Sequence, residues 1–205
     1  MVLYLSSQKF GEKTEYLREW IKEHDNKILL IYNALDAKGT EKINNNVKDD
    51  IFLLEQIGFK IDILDLKKYF DEKDKLEEII NNYSSICVMG GNVFVLRQAM
   101  KYSGFDEILK KYINRDFLYI GYSAGCSVLS KDLGVFKSVD DPIEFYDRNR
   151  IIHNGLGLID YVFIPHYKSN YHKVHLIDEL VAKCKKEKIA YKALTDGEVI
   201  IEKLN

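Results

Sequence analysis

The chain has 205 residues, 46% of them hydrophobic and 30% charged, with a formal net charge of −2. That length supports one sizeable core rather than two, so a single domain spanning 1–205 is expected. The near-neutral balance offers no electrostatic grip on nucleic acid or an anionic membrane surface.

The chain opens with VLYLSS (2–7), a strand pattern, followed by TEYLREWIKEH with apolar residues at helical spacing. No basic start and long apolar block precede them, which argues against a secretory leader, and no later run approaches a membrane span. KILLIYNA (27–34) predicts a buried strand and INNNVKDDIFLLEQIG an amphipathic helix ending at Gly58. KIDILDL (60–66) is a strand, KDKLEEIINNY a helix, and SICVMGG (85–91) a strand ending in glycines. NVFVLRQAMKYSG predicts a helix capped at Gly104, and FLYIGY (117–122) the next strand. VFIPH (162–166) is a further strand, 172–187 a helix, and YKALTDGEVIIEKL a hairpin turning at Asp196-Gly197. Short apolar runs alternating with amphipathic segments predict an α/β protein, a largely parallel, doubly wound sheet with helices on both faces. Cys87, Cys126 and Cys184 are odd in number and far apart, which argues against a disulfide framework or a cysteine zinc site. A cytoplasmic protein, monomeric or homodimeric, is expected.

In such a sheet, ligands gather beyond the C-terminal ends of the strands. GYSAG (121–125) fits the G-x-S-x-G nucleophile elbow, in which a tight strand-to-helix turn projects the central side chain and demands small neighbours. The helix after it aims free N–H groups and its positive end at Ser123. A plain helix-capping serine is the simpler alternative, and Cys126, a turn further on, is a rival nucleophile better suited to the core. The glycines of VMGGNVF (88–94) let backbone N–H groups approach a ligand, although a tight turn explains them equally well.

A nucleophilic serine needs a base. Among the histidines, His24 reads as surface, His153 lies in a polar stretch, and His166 ends an apolar strand where a side chain can face a cleft. His172, His175 and Glu179 share helical spacing and mimic metal ligands, but polar residues at that spacing usually form a solvated face. The base in turn needs an acid to orient it, for which Asp140, Asp141, Asp160 and Asp196 are candidates.

These segments resemble the peptidase E and cyanophycinase family of serine peptidases. GYSAG is similar to the family's G-x-S-A-G, MGGNVF to its GGN-T-F motif, and GLGLIDYVFIPHY to its approach to the catalytic histidine. The likeness runs nearly end to end and implies a fold related to class I glutamine amidotransferases, a three-layer sandwich. It implies Ser123 as nucleophile, His166 as base and Asp140, in SVDDP, as acid, with the backbone N–H groups of Gly91 and Ala124 as oxyanion donors. Met89 stands where many members have a third glycine, and Val93 replaces a threonine. After His166 the chain reads KSNYHKVHLIDEL, with lysines where aspartyl-dipeptidase members carry an arginine. The expected activity is hydrolysis of short peptides, among them dipeptides beginning with aspartate, by a serine hydrolase needing no cofactor or metal. Lys168 and Lys173 are the expected substrate-binding cations, with Arg148 and Arg150 as further cations before His166. The alternative is an amidotransferase-like binding or regulatory module with a degenerate site.

Overall fold

The computed structural model describes residues 1–148 and 150–204, in which strands and helices alternate around one mostly parallel sheet. Its parallel strands are β1 (Val2–Ser6), β2 (Lys27–Ile31), β3 (Lys60–Leu64), β4 (Ser85–Val88) and β5 (Leu118–Tyr122). Two short strands, β6 (Val162–Ile164) and β7 (Tyr191–Ala193), pair parallel in a separate small sheet. The last strand, β8 (Val199–Lys203), returns antiparallel to β1, giving the main sheet the order β3-β2-β4-β5-β1-β8.

The apolar runs make sense as strands covered on both faces. Alternation sends Leu3, Leu5, Leu29, Ile31, Ile86 and Val88 into one core, and Tyr4, Ile28, Leu30, Cys87, Leu118 and Ile120 into the other. Helices α1 (Thr14–Glu23) and α2 (Thr40–Ile57) close the second core with Leu17, Trp20, Val47, Leu54 and Ile57. The first core is closed by α3 (Lys73–Ile80), α4 (Val93–Ser103), α5 (Phe105–Lys111) and, after the single turn α6 (Ala124–Ser127), by α7 (Val174–Glu187). The three-layer sandwich is therefore present as expected. No described helix is long and apolar enough to cross a membrane.

Several strands stop short of the apolar run that predicts them. β2 ends at Ile31 because Asn33–Leu35 turns as 3₁₀ helix, and β4 ends at Val88 before the Gly90-Gly91 turn. Residues 105–111, to which pattern reading assigns no element, form α5 after the left-handed Gly104.

The C-terminal segment departs most from expectation. It is not a hairpin, because β7 pairs with β6 while β8 pairs with β1. Residues 194–198 therefore cross from the small sheet to the main one, over the C-terminal ends of its strands. There β1, β4 and β5 lie in register, Ser6 beside Tyr122 and Val88 beside Gly121.

Candidate active site

Ser123 stands between β5 and α6 with φ 50° and ψ −117°. Positive φ at a non-glycine residue costs roughly 1–3 kcal/mol and persists only where the surroundings enforce it. Here they do. A Cβ at Gly125 would lie 2.2 Å from the Val88 carbonyl oxygen, so α6 can press against β4 only through a glycine. The following helix has four residues, too few for a substantial macrodipole, and its contribution lies in its free first N–H groups.

His166 follows β6 and Pro165, and its side chain is buried against the elbow. Its Nε2 lies 3.2 Å from Ser123 Oγ, and its Nδ1 lies 2.8 Å from Asp196 Oδ1. The pairing of the small sheet explains why these groups meet. Leu194 N–H donates to Ile164 O (3.0 Å) and Tyr167 N–H to Leu194 O (2.9 Å), so Thr195-Asp196 runs out beside Pro165-His166. Asp196 N–H donates to Ser169 Oγ at 2.8 Å, and Glu12 N–H donates to Gly197 O at 2.9 Å, which fixes the turn.

Ser7, fully buried just past β1, ties the arrangement together. Its hydroxyl donates to Asp196 Oδ1 (3.0 Å) and accepts from His166 N–H (2.8 Å). Tyr171 stacks on the imidazole, the ring centroids 4.4 Å apart and the planes 20° from parallel. Neither residue carries a recognisable sequence signal. The one hint at Ser7 is its place at a strand end that enters the same ligand-binding edge as Ser123.

Asp140, the acid that the family resemblance implies, does not reach His166. Its Oδ2 accepts from Val93 N–H at 2.8 Å, and burial raises its pKa to about 6, against the pull of that N–H, Lys173 and Lys38. The carboxylate on the imidazole is Asp196. Asp196 is one of the four candidate acids, set behind Asp140 because Asp196-Gly197 reads as a hairpin turn, and the crossover between sheets brings it to the imidazole.

Gly91 and Ala124 line the same hollow as Ser123 and His166, and among the described residues neither N–H donates to a protein acceptor. Gly91 adopts φ 153°, and a Cβ there would sit 2.3 Å from Ala34 O, so the loop after β4 can approach only as glycine. Cys126 points away, its Sγ 3.5 Å from Ser6 O, and burial pushes its thiol well above the usual range, leaving little thiolate.

In front of Ser123 opens a cleft of about 460 Å³ lined by Lys9, Lys38, Lys173, Asp140 and Asp141. Lys173 lies in it as expected and donates to Val139 O at 2.6 Å. Lys168 does not line it; its ammonium sits 5.3 Å from the Tyr167 ring centroid, because the chain turns at Tyr167-Lys168. Arg148 pairs with Asp71 (2.5 Å), and Arg150 borders a different hollow. Lys9 was not singled out in sequence. It contacts Asp50 at 2.5 Å, and that fully buried carboxylate also accepts from Tyr122 O–H at 2.6 Å. His175 and Glu179 are exposed on α7 while His172 precedes it, and among the described residues no three His, Cys, Asp or Glu side chains converge as a metal site.

An elbow serine beyond a mostly parallel sheet, within reach of a histidine, makes a hydrolase-like site on a three-layer α/β sandwich. The profile of Peptidase family S51 matches residues 2–202, and the chain belongs to that family. It is 30% identical over 116 residues to Lin0382, an uncharacterized peptidase of Listeria innocua, covering 57% of this chain and 54% of the relative. To Lmo0363, an uncharacterized peptidase of Listeria monocytogenes, it is 27% identical over 133 residues, 65% of this chain and 63% of the relative. The chain thus spans a little over half the length of these relatives. In three dimensions it is similar to a crystal structure of a candidate peptidase E from L. monocytogenes EGD-e. That similarity has a TM-score of 0.75 at 22% identity and covers 100% of this chain and 98% of that one.

Proposed function

We propose that this protein is a serine peptidase acting on short peptides, with Ser123 as nucleophile, His166 as general base and Asp196 as the residue that orients the imidazole. The observation that carries the reading is His166 bridging a strained elbow serine and a carboxylate, at 3.2 and 2.8 Å. In the proposed reaction His166 Nε2 takes the Ser123 hydroxyl proton as Oγ attacks the scissile carbonyl carbon. Negative charge on the carbonyl oxygen falls to the N–H groups of Gly91 and Ala124. His166 returns the proton to the departing amine as the C–N bond breaks. Water then repeats the sequence on the acyl-enzyme, releasing the carboxylic acid and restoring Ser123. Asp196 holds the Nδ1 proton throughout, which keeps Nε2 free to accept.

The cleft suits a small substrate, and its rim cations favour an acidic one. Lys9, Lys38 and Lys173 border it, and Lys173 is the member of the expected lysine pair that takes part. Lysine acts as a point charge without arginine's fork, so selectivity for an N-terminal aspartate is expected to be modest and sensitive to salt. Rates on Asp-Leu, Ala-Leu and Leu-Leu at low and high ionic strength measure this, and equal rates on all three remove the acidic preference.

The central test is Ser123→Ala. It is expected to lose hydrolysis by on the order of 10⁴–10⁶-fold and all labelling by a fluorophosphonate. Cys126→Ala keeps both. Labelling that survives Ser123→Ala, or hydrolysis that disappears with Cys126, overturns the assignment.

A further inference from the structure

Away from the cleft, a second hollow of about 350 Å³ opens between α4 and the connection that leads to β6, and the two share no lining residue. Arg97, Lys101, Tyr102, Arg150 and Ile152 border it. Residues 93–100 of α4 are all buried, so Arg97 carries a charge into a stretch that is otherwise apolar but for Gln98. Burying a guanidinium is costly unless its donors are used.

Here they are used only in part. Arg97 is 7% exposed; its Nε donates to Asn154 O at 2.8 Å and its Nη2 pairs with Asp106 at 3.0 Å. Nη1 is buried with no partner among the described residues, and so is the hydroxyl of Tyr102, further along the same helix. Burial holds the Arg97 guanidinium below its usual pKa, with Asp106 opposing the shift. A buried donor left unpaired costs about 1–3 kcal/mol, so two of them on residues of one hollow mark a place where an acceptor is due.

The charges around the hollow say which acceptor. Asp71, the carboxylate on its wall, is taken up by Arg148 through two hydrogen bonds of 3.1 and 2.5 Å. Asp106, whose Oδ1 is also unpaired, does not border it. Lys101 is half-exposed and meets Glu107 at 3.4 Å and Asp106 at 3.9 Å, both loose contacts. Arg150 is exposed and forms no ion pair among the described residues. Three cations facing one carboxylate that is already neutralised favour an anion, and donors without acceptors favour one that offers oxygens.

We propose that this hollow is a second ligand site, which takes a small oxyanion, a phosphate or a carboxylate, between α4 and residues 150–154. It goes beyond the peptidase reading and needs neither Ser123 nor the lysines of the cleft. The anion adds to the Arg97–Asn154 bond that already joins the two segments. An Arg97 that serves the fold alone, pairing with Asp106 and pinning Asn154, predicts no binding at all.

Titration calorimetry with inorganic phosphate and with succinate, at an ionic strength held constant with chloride, tests the site. The wild type is expected to bind phosphate with a Kd on the order of 0.1–1 mM. Arg150→Gln, an exposed change that leaves the buried contacts in place, is expected to weaken binding about tenfold, the order of one charge-assisted hydrogen bond. Arg97→Gln is expected to weaken it further wherever the variant folds. Ser123→Ala and Lys173→Gln are expected to bind phosphate as the wild type does. Succinate that displaces phosphate supports a carboxylate ligand, and succinate that fails to do so supports a phosphate one. Absence of binding by either anion overturns the proposal, as does an affinity unchanged in Arg150→Gln. Binding that disappears in Lys173→Gln places the anion in the cleft and overturns it as well.

Discussion

Asp196 and Asp140 both enter the cleft from irregular stretches, but the surroundings handle the two carboxylates in opposite ways. Asp196 lies on the crossover from β7 to β8, where its Oδ1 accepts from His166 and from the Ser7 hydroxyl and its own N–H donates to Ser169 Oγ. Asp140 lies in the long connection between α6 and β6, is tied by one N–H, and has its pKa raised to about 6 by burial. A carboxylate oxygen that accepts from an imidazole and a hydroxyl at once is placed to orient that imidazole. The difference comes from strand pairing, which carries Asp196 to the imidazole and leaves Asp140 against the loop after β4.

The largest expected effect tests whether the two carboxylates are assigned to the right sides of that comparison. Asp196→Asn is expected to lower kcat by on the order of 10³–10⁴, because the imidazole loses the partner that selects its tautomer. Asp140→Asn is expected to lower kcat far less, because its carboxylate accepts from Val93 N–H and not from the imidazole. If the two variants exchange these signatures, Asp140 is the triad acid after all and moves onto His166 when substrate binds.

The contrast also explains what could be read from the sequence. The elbow was legible because Gly121, Ser123 and Gly125 obey a local steric rule, and His166 because a strand ending in Pro-His points into the ligand edge. The parallel order of the first five strands followed from alternating apolar runs and helices. Asp196 stood among four candidate acids but could not be singled out, because its place depends on β7 joining β6 and β8 joining β1, two pairings between segments far apart in the chain. An Asp-Gly pair between two apolar runs is the usual signature of a hairpin, and the tertiary pairing overrode it. Ser7 was hidden for the same reason, its partners lying 159 and 189 residues away. The short helix α5 fell between a capping glycine and a strand, where amphipathic spacing is too brief to register.

Ser7→Ala probes how much of the orientation on the Asp196 side depends on that single hydroxyl. Its removal leaves His166 N–H buried without an acceptor and frees one side of Asp196, a change that costs about 1–3 kcal/mol in folding. The activity expected to remain is roughly a tenth of wild type, lost mainly from kcat. If the hydroxyl acts through Asp196, Ser7→Ala adds little in an Asp196→Asn background, since the two changes break one chain of contacts. Fully additive losses would mean that Ser7 supports the fold and not the imidazole.

The smallest effect concerns stability on the Asp140 side. Asp140 has its pKa raised from 3.8 to about 6, so between those values the folded protein keeps a proton that the unfolded chain has released. Stability therefore falls as pH rises through that window, and above pH 6 the ionised carboxylate imposes a steady penalty. The carboxyl still meets some solvent in the cleft, so that penalty is set at roughly 1–2 kcal/mol. Asp140→Asn removes it while keeping an acceptor for Val93 N–H. The variant is expected to melt about 2–5 °C above wild type at pH 7.5. The gap should close as the pH is lowered to 4, where the wild-type carboxyl is protonated in the folded state. A buried carboxylate that weakens the fold at working pH is retained for something other than stability. Should Asp140→Asn instead lower the melting temperature at pH 7.5, the bond to Val93 N–H outweighs the cost of burial. Asp140 would then belong with Asp196, as a carboxylate whose partners already lie within the protein.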